Sequence, residues 1–393
     1  MANQKRMISE TAVSPIVATL VLIVVAVIGA VAVGTIMGTF STDVSKNVNA
    51  NQAAGASQTE IVVSGPDPIN SIVQTEGAAY IADDPGIKIV TQASSNDAGV
   101  QLLGNGIADI GEISGPYGSG PYYTQTGPAY RPVPSNYLTK FPDLQNTEIG
   151  VSFVVPITNH AYPVNVSGME FYQSDFRMLF NASGEETFTQ LPEMAGTPVS
   201  VIRGDHAPIA VAFAQYLSIA YLGSDQSTCA NPNTTKVTSD QQMVATVGST
   251  PYAVGYADYN DAVAAASGTN PTIDIMDIPG EWGEVYYWKY PFDTPAHVTA
   301  NWNVLRNVAQ AQYTYLQQGG DNLGMMTPTQ PWWDEIEATN DGYTYPAALF
   351  RAHYFVTEGQ PDSITQNFIS YVLADKEGIF QKNNMWSMKD IYS

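Results

Sequence analysis

The sequence predicts an α/β domain that follows a separate hydrophobic α-helix at the N-terminus. Residues 11–42 contain no charged residue, which is typical of a membrane-embedded or tightly packed helix. From residue 60 onward, short apolar runs alternate with segments whose apolar residues have helical spacing. Hydrophobic residues make up 44% of the 393 residues, which is enough to fill a core. We therefore expect a helix over residues 1–42, a polar linker over 43–59 and a folded domain beyond.

The charge balance excludes one broad class of function. Lys and Arg total 15 against 37 Asp and Glu, so the formal net charge is −22. Nucleic-acid binding needs clustered cations against the phosphate backbone, and this composition excludes it. The single cysteine, Cys229, excludes an internal disulfide framework and a cysteine-based zinc site.

The N-terminal segment has the length of a membrane span. A span needs about 20 apolar residues, whereas the apolar part of a secretory signal peptide has about 7–15. Lys5 and Arg6 precede the segment and favour an orientation with the rest of the chain outside the cell. Gly34 and Gly38 form a G-x-x-x-G spacing that allows close helix packing. A plain anchor and a self-associating helix both remain open.

The letters AVSPIVATLVLIVVAV from residue 12 are similar to the N-terminal segment of archaeal type IV pilin-like proteins. The resemblance implies a short leader ending within residues 1–12, which a prepilin-type peptidase removes. It also implies that the helix either stays in the membrane as an anchor or forms the core of a filament. In both cases residues 43–393 would lie outside the cell.

The start of the domain reads as alternating strands and helices. Strands are predicted over 61–63, 87–92 and 108–111, and helices over 69–80 and 98–103. This alternation favours a sheet of the parallel type. Ligands of such sheets bind beyond the carboxyl ends of the strands, against helix N-termini.

A second resemblance covers residues 60–390. Its motifs occur in order: EIVVSG, DPGIKIV, NDAGVQLLGNGIADIG, VIRGDH, YAVGY and a closing region with YP, Arg and FISYVL. Together they resemble the phosphate-type substrate-binding proteins of ABC transporters. The resemblance implies a two-lobed, periplasmic-binding-protein-like (type II) α/β fold, in which a small solute binds between the lobes.

The same resemblance implies lobes that are discontinuous in sequence. Lobe one would hold residues 58–150 and 345–393, and lobe two residues 151–344. The stretch 258–344 matches the family poorly, and we interpret it as an enlargement of lobe two. It is rich in tryptophan, with Trp282, Trp288, Trp302, Trp332 and Trp333.

The resemblance also implies which residues would bind the solute. In the family, backbone N–H groups, hydroxyls and one arginine hold the ligand. The matching positions here are Ser64, Gly65, Ser94, Ser95, Asn96, Ser114 and Arg203. An arginine fork suits oxyanions, but in so acidic a chain Arg203 could equally pair with a structural carboxylate.

The sequence departs from the family where phosphate would need its donors. The family's Ser-Gly-Thr positions are Ala207, Pro208 and Ile209 here, so hydroxyls are lost, and proline also lacks an N–H. Four acids lie near the implied site in the sequence: Asp67, Asp97, Glu112 and Asp205. We therefore expect a ligand other than phosphate, such as an amine, a cation or a neutral polar solute, or no ligand.

No catalytic, metal-binding or cofactor-binding constellation is visible. The four histidines are far apart, and neither a P-loop nor a G-x-S-x-G elbow is present. Asn165, Asn181 and Asn233 begin N-x-S/T sequons and are candidates for glycosylation. An enzyme is therefore not expected.

Two functions remain. The first is a cell-surface solute-binding protein that is anchored by its N-terminal helix and delivers a small solute to an ABC permease. The alternative is a pilin-like structural subunit whose helices associate through the Gly34 and Gly38 face and display the domain on a filament.

Overall fold

In the computed structural model, residues 60–393 form one compact unit. The residues that it describes are 59–116, 140–163, 173–180, 198–204, 207–217, 234–279, 285–286, 288, 290–317 and 349–392. The predicted N-terminal helix, with Gly34 and Gly38, lies outside these residues. Within them, no helix is long and apolar enough to cross a membrane.

The described residues form an α/β fold. The strands are β1 (Thr59–Gly65), β2 (Ile87–Ala93), β3 (Ile110–Pro116), β4 (Leu144–Asn159), β5 (Val199–Arg203), β6 (Thr234–Val237), β7 (Ala253–Asp258), β8 (Ile273–Ile275), β9 (Ile278–Pro279), β10 (Val285–Tyr286), β11 (Phe350–Glu358) and β12 (Trp386–Ser387). The helices are α1 (Asp67–Asp83), α2 (Asn96–Gly104), α3 (Gln173–Leu179), α4 (Pro208–Tyr216), α5 (Asp240–Ser249), α6 (Tyr259–Ala266), α7 (Pro295–Gln317), α8 (Ser363–Ala374), α9 (Ile379–Lys382) and α10 (Met388–Tyr392).

The elements predicted between residues 60 and 111 are confirmed in type and order. Local sequence explains their limits: Pro66 precedes α1, where its missing N–H costs nothing, and Ser95 caps α2 by accepting a hydrogen bond from the Ala98 N–H at 3.2 Å. At the other end of α2, Gly106 adopts a left-handed conformation with φ 67° and turns the chain into β3.

Ten of the described strands form one mixed sheet in the order β2-β1-β3-β11-β4-β7-β5-β6, and β8 and β12 also pair with β4. The β1–β3, β5–β6 and β5–β7 pairs are parallel, as the alternation of strands and helices predicts. The two central strands, β4 and β11, are antiparallel to their neighbours. The sheet is therefore parallel toward its ends and antiparallel in the middle.

Strands β4 and β11 connect two hydrophobic cores. On β4, Ile149 packs in a core with β1, α1 and α8, whereas Val151 packs in a larger core with β5, β7 and α7. On β11, Phe355 belongs to the first core and Phe350 to the second. Two cores joined by two long strands are what a two-lobed molecule requires. The closing segment supplies side chains to both cores, and the lobe boundaries given above stay a prediction.

A stack of aromatic rings fills the larger core. Trp386 stacks on Tyr259 at a centroid distance of 6.3 Å and on Trp302 at 5.9 Å. Trp288 stacks on the Tyr259 ring at 5.9 Å. The indole N–H of Trp302 donates to the Met385 carbonyl at 3.1 Å, so its polar atom is satisfied. Two tryptophans of the poorly matching segment therefore pack as core residues; Trp282, Trp332 and Trp333 lie outside the described residues.

Truncation of Trp386, the central ring of this stack, should destabilise the larger core. Trp386 is fully buried, so Trp386→Ala should lower the free energy of unfolding by about 3–5 kcal/mol, as expected for a large aromatic side chain. Ile107 is 53% exposed, and Ile107→Ala is the control, with an expected loss of less than about 0.5 kcal/mol. Urea denaturation measures both. Equal losses for the two variants would contradict the central place of Trp386.

Candidate functional site

The residues predicted on β1 and β2 meet at the carboxyl ends of these strands. The hydroxyl oxygens of Ser64 and Ser94 are 3.0 Å apart and share a hydrogen bond. The Ser94 N–H donates to the Gly65 carbonyl at 2.6 Å, which ties the two strand ends together. Ser64 is fully buried, whereas Ser94 is half-buried. Two hydroxyl groups therefore stand at the edge where an α/β sheet binds its ligands.

The predicted residues on α2 and β3 join the same edge, but in structural roles. The Asn96 side-chain amide donates to the Ser114 carbonyl at 2.8 Å, and its oxygen accepts from the Ser114 N–H at 2.9 Å. These bonds hold the start of α2 against β3. Ser95 caps α2, so its hydroxyl is also engaged. We call the six residues Ser64, Gly65, Ser94, Ser95, Asn96 and Ser114 the lobe-one cluster.

Two glycines allow the lobe-one cluster to form. A Cβ on Gly65 would lie 2.1 Å from the Cβ of Glu112, and a Cβ on Gly99 would lie 2.6 Å from the Ser64 carbonyl oxygen. Neither distance is sterically possible, so any side chain would push apart β1, β3 and α2. The glycines thus set the close approach of the backbones around Ser64.

Glu112 lies fully buried directly below this turn. Neither oxygen of its carboxyl group has a hydrogen-bond partner within the described part of the chain. Burial raises the pKa of Glu112 well above its ordinary value, and the amide of Asn70 opposes the shift. Glu112 therefore lies against Gly65, where its burial disfavours the ionised form.

Arg203 pairs with a carboxylate of its own half of the sheet. Its guanidinium group forms an ion pair with Asp240, the first residue of α5, and both side chains are only 5% exposed. The Nη2 atom also donates to the Thr238 carbonyl at 3.2 Å. These bonds hold the guanidinium group of Arg203 among residues of its own half of the sheet. The neighbouring α4 begins with buried Ala207, Pro208 and Ile209, which carry no hydroxyl.

A buried polar face of the sheet lies between the lobe-one cluster and the Arg203–Asp240 pair. His353 on β11 lies opposite Ser114 on β3, and Arg351 lies opposite Ser152 on β4. Directly paired residues share one face of a sheet, so these four side chains lie on the same side. The Arg351 Nη2 donates to the Ser114 carbonyl at 2.9 Å. Burial, followed by the charge of Arg351, lowers the pKa of His353 to about 3, so the imidazole is neutral at physiological pH.

Sequence reasoning missed one acid at the far end of this face. Asp258 ends β7, is 1% exposed and accepts a hydrogen bond from the Ser152 hydroxyl at 3.0 Å. Burial raises its pKa well above the ordinary value, with contributions from the carboxylates of Asp240 and Asp261; Ser152 and Arg351 act in the opposite direction. The available signal was its position as the first charge after the apolar strand YAVGYA.

Other predicted sites lie outside the described residues. These are the sequons Asn165, Asn181 and Asn233, as well as Asp205 and Cys229. Within the described ranges, no group of three or more His, Cys, Asp or Glu could hold a metal ion. An open pocket of about 380 Å³ lies between the start of β4 and the end of β11, at Leu144 and Glu358. It is at the opposite end of these strands from Ser152 and Arg351.

No protein-family model and no curated protein sequence matches the chain. Among solved structures, it is similar to a protein from Clostridium perfringens that is described as a phosphate ABC transporter substrate-binding protein with bound phosphate. The TM-score is 0.52 at 13% identity, covering 84% of this chain and 99% of the other. An ABC-type phosphate transport receptor from Vibrio cholerae has a TM-score of 0.47 at 14% identity, covering 83% and 99%. The first comparison establishes that the chain has the two-lobed fold of a periplasmic binding protein.

The Arg203–Asp240 pair should behave as a structural ion pair. Asp240→Ala leaves a buried guanidinium without its carboxylate and should cost about 3–5 kcal/mol of unfolding free energy. The double variant Arg203→Met/Asp240→Ala should lose clearly less than the sum of the two single losses. Denaturant titration of the four proteins gives the coupling energy.

The half-exposed pair of Lys88 and Glu60, at 2.8 Å, is the matched control, and its coupling energy should stay below about 1 kcal/mol. Additive effects of the Arg203 and Asp240 substitutions would show that the pair contributes no structural coupling.

Proposed function

We propose that the chain is a solute-binding protein that captures a small solute between its two halves and presents it to an ABC permease. The observation that carries this proposal is the lobe-one cluster, whose hydroxyl and backbone groups stand at the carboxyl ends of β1, β2 and β3. This is the edge where α/β sheets bind ligands. The fold shared with the Clostridium perfringens protein supports the same function.

The proposed ligand is not phosphate. Buried phosphate needs many donors, above all a charged fork. Arg203 is paired with Asp240, and the start of α4 offers proline and alkyl side chains. Losing several donors of about 1–3 kcal/mol each would weaken phosphate binding by orders of magnitude.

The proposal places the domain on the outside of the cell. The uncharged stretch 11–42 would anchor it in the membrane after a prepilin-type peptidase has removed the leader, and residues 43–59 would act as a tether. The pilin-like segment supports an archaeal origin. The sequons at Asn165, Asn181 and Asn233 are compatible with glycosylation on that side.

The second candidate is a filament subunit that displays this domain. The pairing of Arg203 with Asp240 favours it, because the pair removes the charged donor that an oxyanion carrier would need. The Gly34 and Gly38 spacing would let the N-terminal helices pack together. Electron microscopy of cells that produce the full chain, compared with a Gly34→Leu/Gly38→Leu variant, tests this candidate.

A thermal-shift screen tests the binding function. A chain that begins at residue 58 is mixed with phosphate, sulfate, amines, amino acids and divalent cations. Binding to the native state alone raises the melting temperature, so at least one solute should do so, and phosphate should not. Ser94→Ala should then weaken affinity for that solute about tenfold through a lost hydrogen bond. The exposed Ser249→Ala is the control and should leave affinity unchanged.

A shift with phosphate that Arg203→Ala abolishes would contradict the proposed ligand class and would leave solute binding intact. The absence of any shift would contradict solute binding itself and favour the filament subunit.

A further inference from the structure

Asp258 is a helix N-cap residue that does not cap its helix. An aspartate in this position normally accepts a hydrogen bond from the second or third N–H of the helix. The side chain of Asp258 makes no such bond to α6. Its Oδ1 accepts from Ser152 on β4, and its Oδ2 is buried without a hydrogen-bond partner in the described residues. The carboxyl group is therefore turned away from its own helix and retains an unused acceptor.

The position of Asp258 places this acceptor at the ligand edge of the sheet. Asp258 ends β7, which is parallel to β5, and Arg203 ends β5. Ser152, which holds Asp258, lies opposite Arg351 on β11, and Arg351 in turn donates to the Ser114 carbonyl of the lobe-one cluster. A continuous line of buried polar side chains thus leads from the lobe-one cluster to Asp258.

The charges around Asp258 favour a cation. Arg203 is held by Asp240, so it does not serve as the partner of Asp258. The carboxylates of Asp240 on α5 and Asp261 on α6 both disfavour ionisation of Asp258, while Arg351 from β11 favours it. Asn260 carries a buried side-chain carbonyl oxygen with no partner in the described part of the chain, and the buried hydroxyl of Tyr259, which can donate as well as accept, has none there either. The start of α6 therefore has a surplus of acceptors.

A primary ammonium group matches this surplus. It brings one positive charge and three N–H donors, whereas a phosphate dianion brings charge of the wrong sign and acceptor oxygens. An unpartnered buried carboxylate is costly, and a charged donor that pairs with it removes that cost.

We propose that Asp258 binds the primary ammonium group of the solute, which makes the ligand an amine or an amino acid. The inference rests on the proposed solute-binding function and names the ligand class of that same site.

The test uses the full-length chain in detergent. Ethanolamine, putrescine and glycine are added at millimolar concentration, together with ethylene glycol and acetate as compounds that lack the ammonium group. Melting temperature and calorimetric affinity are measured for the wild type, Asp258→Asn and Asp274→Asn. Asparagine retains the acceptor for Ser152, and Asp274 is a half-exposed acid on β8 that serves as the control.

At least one ammonium compound should raise the melting temperature of the wild type, and the compounds that lack an ammonium group should not. Asp258→Asn should weaken the affinity at least tenfold, whereas Asp274→Asn should leave it unchanged. An amine response that Asp258→Asn leaves intact would overturn the assignment of the residue. Binding of ethylene glycol or acetate, with silence toward all amines, would overturn the ligand class and leave solute binding standing. Silence toward every compound would overturn both.

The pH dependence provides a readout that does not depend on the variant. Burial, Asp240 and Asp261 raise the pKa of Asp258, against Ser152 and Arg351, so the free protein holds a proton there at low pH. An ammonium group must displace that proton, and its affinity should therefore increase with pH, by up to about tenfold per pH unit below the pKa. An amine affinity that does not increase with pH would contradict binding at Asp258.

Discussion

The pairing of β4 with β11 is the constraint on which the rest of the structure depends. These two strands run antiparallel to their neighbours and carry side chains into both hydrophobic cores. They lie in the middle of the sheet, so the parallel strands on either side present their carboxyl ends toward the same central region. The lobe-one cluster and the Arg203–Asp240 pair are positioned by this arrangement. The same two strands carry the buried polar face that connects them.

The balance of donors and acceptors on that face determines the chemistry of the site. Arg203 pairs with Asp240, and the side chain of Asn96 bonds to the backbone of Ser114, so two of the side chains predicted to bind the solute are engaged within this chain. Asp258, by contrast, retains a buried carboxyl oxygen that lacks a donor in the described residues. A low local dielectric makes such a group costly unless a donor or a proton arrives.

The sequence predicts the local part of this structure well. Apolar periodicity locates β1, β2, α1 and α2, because these elements depend on neighbouring residues. The motifs around Ser64, Ser94 and Ser114 place these residues at strand ends, and the structure brings them together. Long-range partners are not visible in the pattern. Arg203 is 37 positions from Asp240, and Ser152 is 106 positions from Asp258, so only the fold shows that they meet.

The tryptophan-rich segment shows the same limit. Its composition predicts packing, and Trp288 and Trp302 do pack, but they are joined through Tyr259 and Trp386, and Trp386 comes from the closing region of the chain. A stack built from three distant segments has no signature in local sequence. The antiparallel centre of the sheet cannot be predicted from local sequence for the same reason. Strand β11 comes from near the end of the chain and lies between β3 and β4.

The central proposal is that Arg203 serves as a structural partner of Asp240 and does not bind the ligand. Its most direct test is a crystal structure of residues 58–393 grown with millimolar phosphate. We predict that the Arg203 guanidinium remains on Asp240 and that no phosphate lies between it and the turn at Ser64 and Gly65. A phosphate ion held by Arg203 and this turn, with the bond to Asp240 broken, would contradict the account.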